Sequence, residues 1–147
     1  MKWILLLAIV LIVVVIVPIL MNRPPLSAPP GPWIRLKTYL STNQARVVPA
    51  TEWVDLRSPV IAGGVGQVKA RVLSAMHRLG WRHARETNGL LKAEVVTPWL
   101  KFRDDVEVRL EVVPEGVRLL AFSSSRVGKA DFAANERHLL DLLEKLR

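Results

Sequence analysis

The feature that most constrains the fold of this chain is an uncharged apolar run from Trp3 to Met21. It comprises 19 residues, nearly all of them Leu, Ile or Val. As an α-helix rising ~1.5 Å per residue it extends about 28 Å, close to the hydrocarbon thickness of a bilayer. Pro18 falls in the last turn, where a kink or an early end of the helix is tolerated. The run predicts a transmembrane helix over residues 1–21, with one domain after it.

A cleaved signal peptide is the alternative interpretation of this run. Its apolar region is usually about 7–15 residues long and is followed by a small-x-small cleavage site. Here the run is longer, and prolines crowd the small residues in MNRPPLSAPPGP, residues 21–32. The length and the prolines favour a retained signal anchor that crosses the bilayer once through residues 3–21.

Basic residues give the orientation and suggest a partner. The net charge is +8, from 21 Lys and Arg against 13 Asp and Glu, and only Lys2 precedes the span. The basic bias around the span is weak, but a short basic head usually leads to translocation of the domain after the span. We therefore expect an exported, periplasmic or extracytoplasmic, domain. Beside a membrane the basic excess favours anionic lipid headgroups, and without a recognisable module we expect no nucleic-acid binding.

Two segments separate the span from the domain. Residues 22–32 contain five prolines, which predicts a stiff extended spacer that holds the domain off the bilayer. Residues 33–57 form a lead-in segment with two open interpretations. It is either an ordered segment packed on the domain or an interfacial amphipathic segment whose basic side chains reach headgroups. The residues of the second interpretation are Trp33, Ile34, Arg35, Leu36, Lys37, Tyr39 and Leu40.

Residues 58–147 show the pattern of a small α+β domain. A glycine-rich start and apolar residues at helical spacing predict a helix over residues 63–80. Four strands should come next, because an Asn-Gly turn joins two β-like runs and apolar residues alternate with charged ones over residues 106–112. The segment from Asp131 onward has the apolar stripe of a second helix. The sequence predicts a four-stranded antiparallel meander with both helices on one face (α-β-β-β-β-α).

Two stretches of this domain, FRDDVEVRLE and SSSRVGKADFAAN, carry a resemblance to a known family. A strand that opens with Asp-Asp, then S-x-S-R-x-G-x-x-D-x-x-x-N before a terminal helix, resembles the domain of unknown function 1499 (DUF1499) family over about residues 58–147. The chain has Phe122 where the family usually has Arg, and Ala133 where it usually has Gly. The resemblance implies no activity, but it points to these site residues: Asp104, Asp105, Ser123, Ser125, Arg126, Gly128, Asp131 and Asn135.

The same residues, with Lys129 added, allow three interpretations. In the first they are a structural network, in which Arg126 pairs with Asp104 or Asp105 and Asp131 caps the helix. In the second, Arg126, Lys129 and the helix N-terminus bind an anion, although the Asp131 carboxylate would compete for the donors. In the third, a hydrolase uses the cluster of Asp104, Asp105, Ser125, Arg126 and Lys129.

The sequence offers little support for the enzymatic interpretation. It contains none of the familiar nucleophile or metalloprotease motifs, and adjacent strand residues such as Asp104 and Asp105 point to opposite faces. His77, His83 and His138 lack the spacing of metal ligands and are predicted to face solvent. We therefore expect no metal and no cofactor. The sequence predicts a membrane-anchored binding or interaction module of unknown ligand at the cell envelope, with the hydrolase as alternative.

Overall fold

The computed structural model describes residues 1–98 and 100–147. Its helices and strands succeed one another along the chain in the order α-α-α-β-β-α-β-β-β-β-α. Their bounds are α1 Lys2–Leu11, α2 Val17–Asn22, α3 Pro32–Ser41, β1 Gln44–Val47, β2 Val60–Ile61, α4 Val65–Arg78, β3 Arg82–Thr87, β4 Leu90–Val96, β5 Arg103–Val113, β6 Gly116–Ser125 and α5 Ala134–Leu146.

The first two helices join into one N-terminal helix. A π-helical turn, Ile12–Ile16, links α1 to α2, and the continuous helix Lys2–Asn22 is long and apolar enough to cross a membrane. Most of its side chains are exposed, as expected of a helix that no protein core covers. Its last turns are different, because Pro18 and Ile19 are buried and Asn22 donates a hydrogen bond from Nδ2 to the Phe132 carbonyl at 2.8 Å. The end of the N-terminal helix therefore packs directly on the domain.

The segment after this helix is folded rather than extended. Residues 23–31 form turns, with backbone hydrogen bonds from Leu26 to Pro24, from Ala28 to Pro25 and from Gly31 to Ala28. The predicted extended conformation of this spacer does not match these turns. Prolines stiffen a chain, but this segment connects two buried residues, Ile19 before it and Arg35 after it, and folds into turns between them.

The described residues form a six-stranded antiparallel sheet with the order β1-β6-β5-β4-β3, in which β2 also pairs with β6. The four predicted strands are the meander β3 to β6, joined in consecutive antiparallel pairs. The predicted count of four is too low because β1 and β2 lie earlier in the chain. They have only four and two residues, too few for a clear alternating pattern.

The core lies between one face of this sheet and the helices α4 and α5. Side chains of both helices share a cluster with the inward-facing residues of the strands, including Val72, Leu139, Val106 and Leu119, all fully buried. The helix arrangement differs in detail from the prediction. A further helix, α3, belongs to the fold, and α5 begins at Ala134, three residues after the predicted cap at Asp131.

The lead-in segment packs on the domain through α3. The Arg35 side chain is fully buried, where Nη1 contacts Glu136 at 2.7 Å and Nη2 pairs with Asp55. This excludes the predicted alternative in which Arg35 reaches lipid headgroups. The opposite side of α3 remains exposed, with Trp33 82% and Ile34 53% accessible. One side of α3 is thus buried against the domain, and the exposed side carries apolar residues.

Candidate functional site

The predicted site residues are divided between the two faces of the sheet. Asp104 and Asp105 are consecutive in β5, so their side chains point in opposite directions, as the sequence predicted. Asp104 is fully buried on the helix-covered face, opposite Ser125 of β6. Asp105 lies on the open face, where it contacts Arg126. The motif therefore builds two separate clusters.

The open-face cluster centres on Arg126. Its guanidinium makes two hydrogen bonds to Asp105, at 2.8 and 2.5 Å, and a third contact to Glu94 at 2.8 Å. These hydrogen bonds hold the pKa of Asp105 below its usual value. Arg126 and Asp105 are both nearly half exposed, and such pairs contribute little to stability. The predicted ion pair of Arg126 is present with Asp105 and not with Asp104. Because the Arg126 guanidinium already contacts two carboxylates, Arg126 is poorly placed to bind an anion.

The loop between β6 and α5 contains the next two motif residues. Gly128 has a φ of +92°, a conformation that favours glycine, and its carbonyl accepts a hydrogen bond from Asn43 Nδ2 at 2.7 Å. Lys129 is exposed and makes no hydrogen bond to Ser125 within the described part of the chain. The five residues of the hydrolase alternative are therefore not gathered in one place.

The helix-covered cluster centres on Asn135, which is fully buried. Its Oδ1 accepts a hydrogen bond from Ser123 Oγ at 2.5 Å. Its Nδ2 lies 2.9 Å from the Asn43 carbonyl, 2.9 Å from Ser125 Oγ and 2.7 Å from Asp131 Oδ2. Asp131 in turn accepts the backbone N–H groups of Ala133 and Asn135. The amide of Asn135 thus ties strand β6, the residue before β1 and the turn before α5 to one another.

The turn before α5 is conformationally unusual at Ala133. This residue occupies the N-cap position with a φ of +69°, in the left-handed region. Such a conformation costs a residue other than glycine about 1–2 kcal/mol. Glycine adopts this conformation without that cost. The structure thereby explains why glycine suits position 133, where the resembled family usually has Gly and this chain has Ala.

Ala133→Gly is expected to raise the free energy of unfolding by about 0.5–1 kcal/mol, because the relief of strain exceeds the extra flexibility of glycine in the unfolded chain. The neighbouring Ala134 begins α5 in ordinary helical geometry. As the matched control, Ala134→Gly should destabilise the domain by about 1 kcal/mol. Urea melts of the full chain in detergent micelles, followed by tryptophan fluorescence, measure both. Equal destabilisation by the two variants would contradict the strain argument.

His138 is the residue of this site that the sequence analysis missed. The prediction that it faces solvent is wrong, because only 7% of it is accessible and its Nε2 lies 2.8 Å from Asp104 Oδ2. The Trp81 and His138 rings also meet edge to face, with their centroids 6.4 Å apart. A signal was present in the sequence. His138 lies three positions after Asn135 and four before Leu142, which places all three on one helix face.

A cavity of about 90 Å³ adjoins these residues, and we call it the basal pocket. Its polar wall contains Asp104, Ser125 and Asp131. The Asp104 Oδ1 atom is buried and has no hydrogen-bond partner within the described residues. Burial, reinforced by the nearby charge of Asp104, raises the pKa of Asp131 above its usual value. The remaining lining residues are Pro18, Met21, Asn22, Thr97, Pro98, Leu100, Phe102, Phe132 and Ala134.

Comparison with known proteins places the chain in a family. The family model described as Protein of unknown function (DUF1499) matches residues 61–146. The chain belongs to this family. No curated protein and no solved structure matches it. The matched region of this DUF1499 member contains Asp104, Asn135 and His138, whereas the lead-in segment and the N-terminal helix lie before it. Among the residues described, no group of three His, Cys, Asp or Glu is arranged to hold a metal ion.

Proposed function

We propose that this DUF1499 protein is a membrane-anchored binding module whose basal pocket takes the protonated amine of an amphiphile. The observation that supports this most directly is Asp104, a fully buried carboxylate whose Oδ2 contacts His138 while its Oδ1 lacks a partner within the described residues. A buried charge is costly unless it is paired and hydrogen-bonded. A primary ammonium group brings a positive charge and three N–H donors.

The composition of the pocket wall favours a cation over an anion. Asp104 and Asp131 both line it, and no lysine or arginine is among the described lining residues. The raised pKa of Asp131 reflects its burial and the neighbouring Asp104 carboxylate, and the charge of a bound cation would lower it by favouring the ionised form. With a volume of about 90 Å³, the pocket has room for a small polar group such as an ammonium headgroup.

The position of the pocket favours an amphiphile over a freely soluble amine. Met21 and Asn22, at the end of the N-terminal helix, form part of its wall. A helix of 21 residues is about 31 Å long, so that its end would reach the headgroup layer if it spans the bilayer. Leu100 and Phe102 line the pocket and are exposed beside it, which would suit contact with acyl chains. A lipid headgroup would therefore lie next to the pocket without leaving the membrane.

The lead-in segment supplies a second membrane contact under this proposal. The exposed residues Trp33, Ile34, Lys37 and Leu40 share one side of α3, which begins ten residues after the N-terminal helix ends. An apolar side with tryptophan and lysine suits the interface of an anionic membrane. The net charge of +8 adds attraction to anionic lipid headgroups. The short basic head before the span supports an orientation in which the domain lies outside the cytoplasm.

The pocket is tested by adding short-chain phosphatidylethanolamine to the full chain in nanodiscs of phosphatidylglycerol. We expect a saturable shift of the His138 ring resonances, because His138 contacts Asp104 directly. Asp104→Asn should weaken this binding at least tenfold, equivalent to about 1.4 kcal/mol, since the amide keeps the shape of the carboxylate and removes its charge. Asp105→Asn is the matched control on the adjacent, opposite-facing residue and should bind within twofold of the unchanged chain.

Two comparison ligands distinguish the recognised group. Phosphatidylcholine has the same charge but no ammonium N–H, and it should bind more weakly than phosphatidylethanolamine. Free ethanolamine should shift the same resonances at much higher concentration, because it lacks the acyl chains. Equal effects of Asp104→Asn and Asp105→Asn, or equal binding of the two lipids, would contradict the proposal.

A further inference from the structure

A second, larger cavity lies on the other side of the turn before α5. Its volume is about 410 Å³, and we call it the lead-in cavity because α3, β1 and residues 48–56 form most of its wall. Only Asp131 contributes to both this cavity and the basal pocket. Cavities of a few hundred Å³ that are mainly apolar, with a few convergent polar groups, are typical sites for small molecules.

The base of the lead-in cavity contains a buried carboxylate with a free oxygen. Glu136 lines the cavity and is 3% accessible. Its Oε1 accepts a hydrogen bond from Arg35 at 2.7 Å, but its Oε2 has no partner within the described residues. Arg35 also pairs with Asp55, so that two carboxylates share one guanidinium. Burial, together with the Asp55 charge, raises the pKa of Glu136 to about 7. Near neutral pH this carboxyl can therefore donate a hydrogen bond to a hydroxyl group when it is protonated, or accept one when it is ionised.

The other polar groups of the wall provide both donors and acceptors. The Thr38 hydroxyl donates to the Ile34 carbonyl at 2.9 Å, which leaves its oxygen free to accept from a ligand. The Thr51 hydroxyl oxygen accepts the Trp53 backbone N–H at 3.1 Å, which leaves its hydrogen free to donate. Thr42 and Gln44 are exposed at the same wall. A ligand with hydroxyl groups, each a donor and an acceptor, fits such a mixture.

Aromatic rings complete the wall. Tyr39 and Trp53 both line the cavity and meet edge to face, with centroids 6.1 Å apart. Arg35 lies over the Trp53 ring at 4.4 Å and fixes its position. Tyr39 is only 2% accessible, so the partly exposed Trp53 ring offers the rigid apolar surface. The C–H groups of a sugar ring can pack on Trp53 while the hydroxyls contact the threonines and Glu136.

We infer that the lead-in cavity is a separate binding site for a hydroxyl-rich ring, a carbohydrate of one or two sugar units. Glu136, Thr51 and Trp53 provide the recognition, and neither the bilayer nor the amine proposed for the basal pocket is required. Binding should depend on several ligand hydroxyls at once, which an apolar ring lacks. This site lies mainly outside the family match, in the part of the fold that the lead-in segment adds.

Saturation-transfer NMR with the full chain in sugar-free phosphatidylglycerol nanodiscs tests this inference. The probes are glucose, N-acetylglucosamine and maltose, with cyclohexanol as an apolar ring that carries a single hydroxyl. At least one sugar should show saturable transfer to its ring C–H groups, and cyclohexanol should bind at least tenfold more weakly. Absence of transfer to all three sugars, or equal binding of cyclohexanol, would overturn the inference.

Variants locate the site and separate it from the basal pocket. Glu136→Gln should weaken sugar binding at least fivefold, whereas Glu144→Gln, on an exposed residue of the same helix, should leave it unchanged. Because Glu136→Gln alters a buried pair, Thr42→Val combined with Gln44→Leu provides a second test on exposed side chains and should also weaken binding. Phosphatidylethanolamine binding should persist in all of these variants. Sugar binding that none of the wall variants changes would place it elsewhere and refute the assignment.

Discussion

Arg35→Ala is expected to lower the free energy of unfolding by about 3–5 kcal/mol, the usual cost of removing one partner of a buried ion pair. The variant leaves Glu136 buried without its cation and deprives Asp55 of its partner. It also removes donors to the carbonyls of Ala28 and Pro29, at 3.0 and 2.6 Å. The full chain in detergent micelles, unfolded by urea and followed by tryptophan fluorescence, provides the measurement.

Lys37 supplies the matched control for this prediction. It lies two residues further along α3 and is exposed, so Lys37→Ala should change stability by no more than about 0.5 kcal/mol. Adding Glu136→Gln to Arg35→Ala should recover part of the loss, because the unpaired buried charge is removed. An Arg35→Ala chain that melts like the Lys37→Ala chain would show that the lead-in segment contributes little to the fold.

The contacts of Arg35 show that the folded domain of this chain includes residues before the family match. The family match begins at residue 61, yet β1 pairs with β6, and Arg35 contacts Glu136 inside the matched region. The lead-in segment is therefore part of the same hydrophobic and polar interior. A chain that is shortened to the matched residues would expose the edge of β6 and leave Glu136 without its cation. For this member, the folded unit extends beyond the residues that define the family.

The sequence predicted those features of the fold that depend on residues close together in the chain. The alternation from Val106 to Leu110 reflects one buried and one open face of β5, although Val112, near the end of the strand, is 75% accessible. The Asn-Gly turn joins β3 to β4 as predicted. The opposite directions of Asp104 and Asp105 result from the same period of two. These features depend on neighbours in the sequence, so that a single chain is enough to recognise them.

The features that sequence reasoning missed depend on partners far away in the chain. Arg35 looked like a surface residue because nothing in residues 33–57 indicates that Glu136, 101 positions later, would be buried beside it. His138 looked like a surface histidine because Asp104 lies 34 positions earlier. Buried charges are rare and occur in pairs, so that each is recognised only once its partner is in place. The same holds for the basal pocket, whose walls come from α2, the segment between β4 and β5, the strands β5 and β6, and the start of α5 with the turn before it.

Asn135→Ala is the second variant for which we expect a large effect, a loss on the order of 3 kcal/mol in the free energy of unfolding. The substitution leaves the Ser123 hydroxyl without its acceptor inside the core and the Ser125 hydroxyl without the Nδ2 donor. It also removes one of two donors to the Asn43 carbonyl, which keeps the Ser125 backbone N–H. Each buried polar group that loses its partner costs about 1–3 kcal/mol. Ser125→Ala removes only one of the four contacts and should cost about 1 kcal/mol, which makes it the graded control.

Asn135→Asp tests the direction of these hydrogen bonds. The two N–H groups of Nδ2 face three oxygens, the Asn43 carbonyl, Ser125 Oγ and Asp131 Oδ2. A carboxylate oxygen in place of Nδ2 would face the same oxygens, one of which belongs to a second carboxylate. Burial and the Asp131 charge should therefore raise the pKa of the introduced carboxyl in the folded state above its value in the unfolded chain. A group with a raised pKa stabilises the fold when it is protonated, so Asn135→Asp should be least stable near pH 7 and recover as the pH falls towards about 4. Urea melts at both pH values, compared with Asn135→Ala, separate this charge effect from loss of the amide. A variant that is equally stable at both pH values would show that Asn135 is not the hydrogen-bond donor that joins β6, Asn43 and the turn before α5.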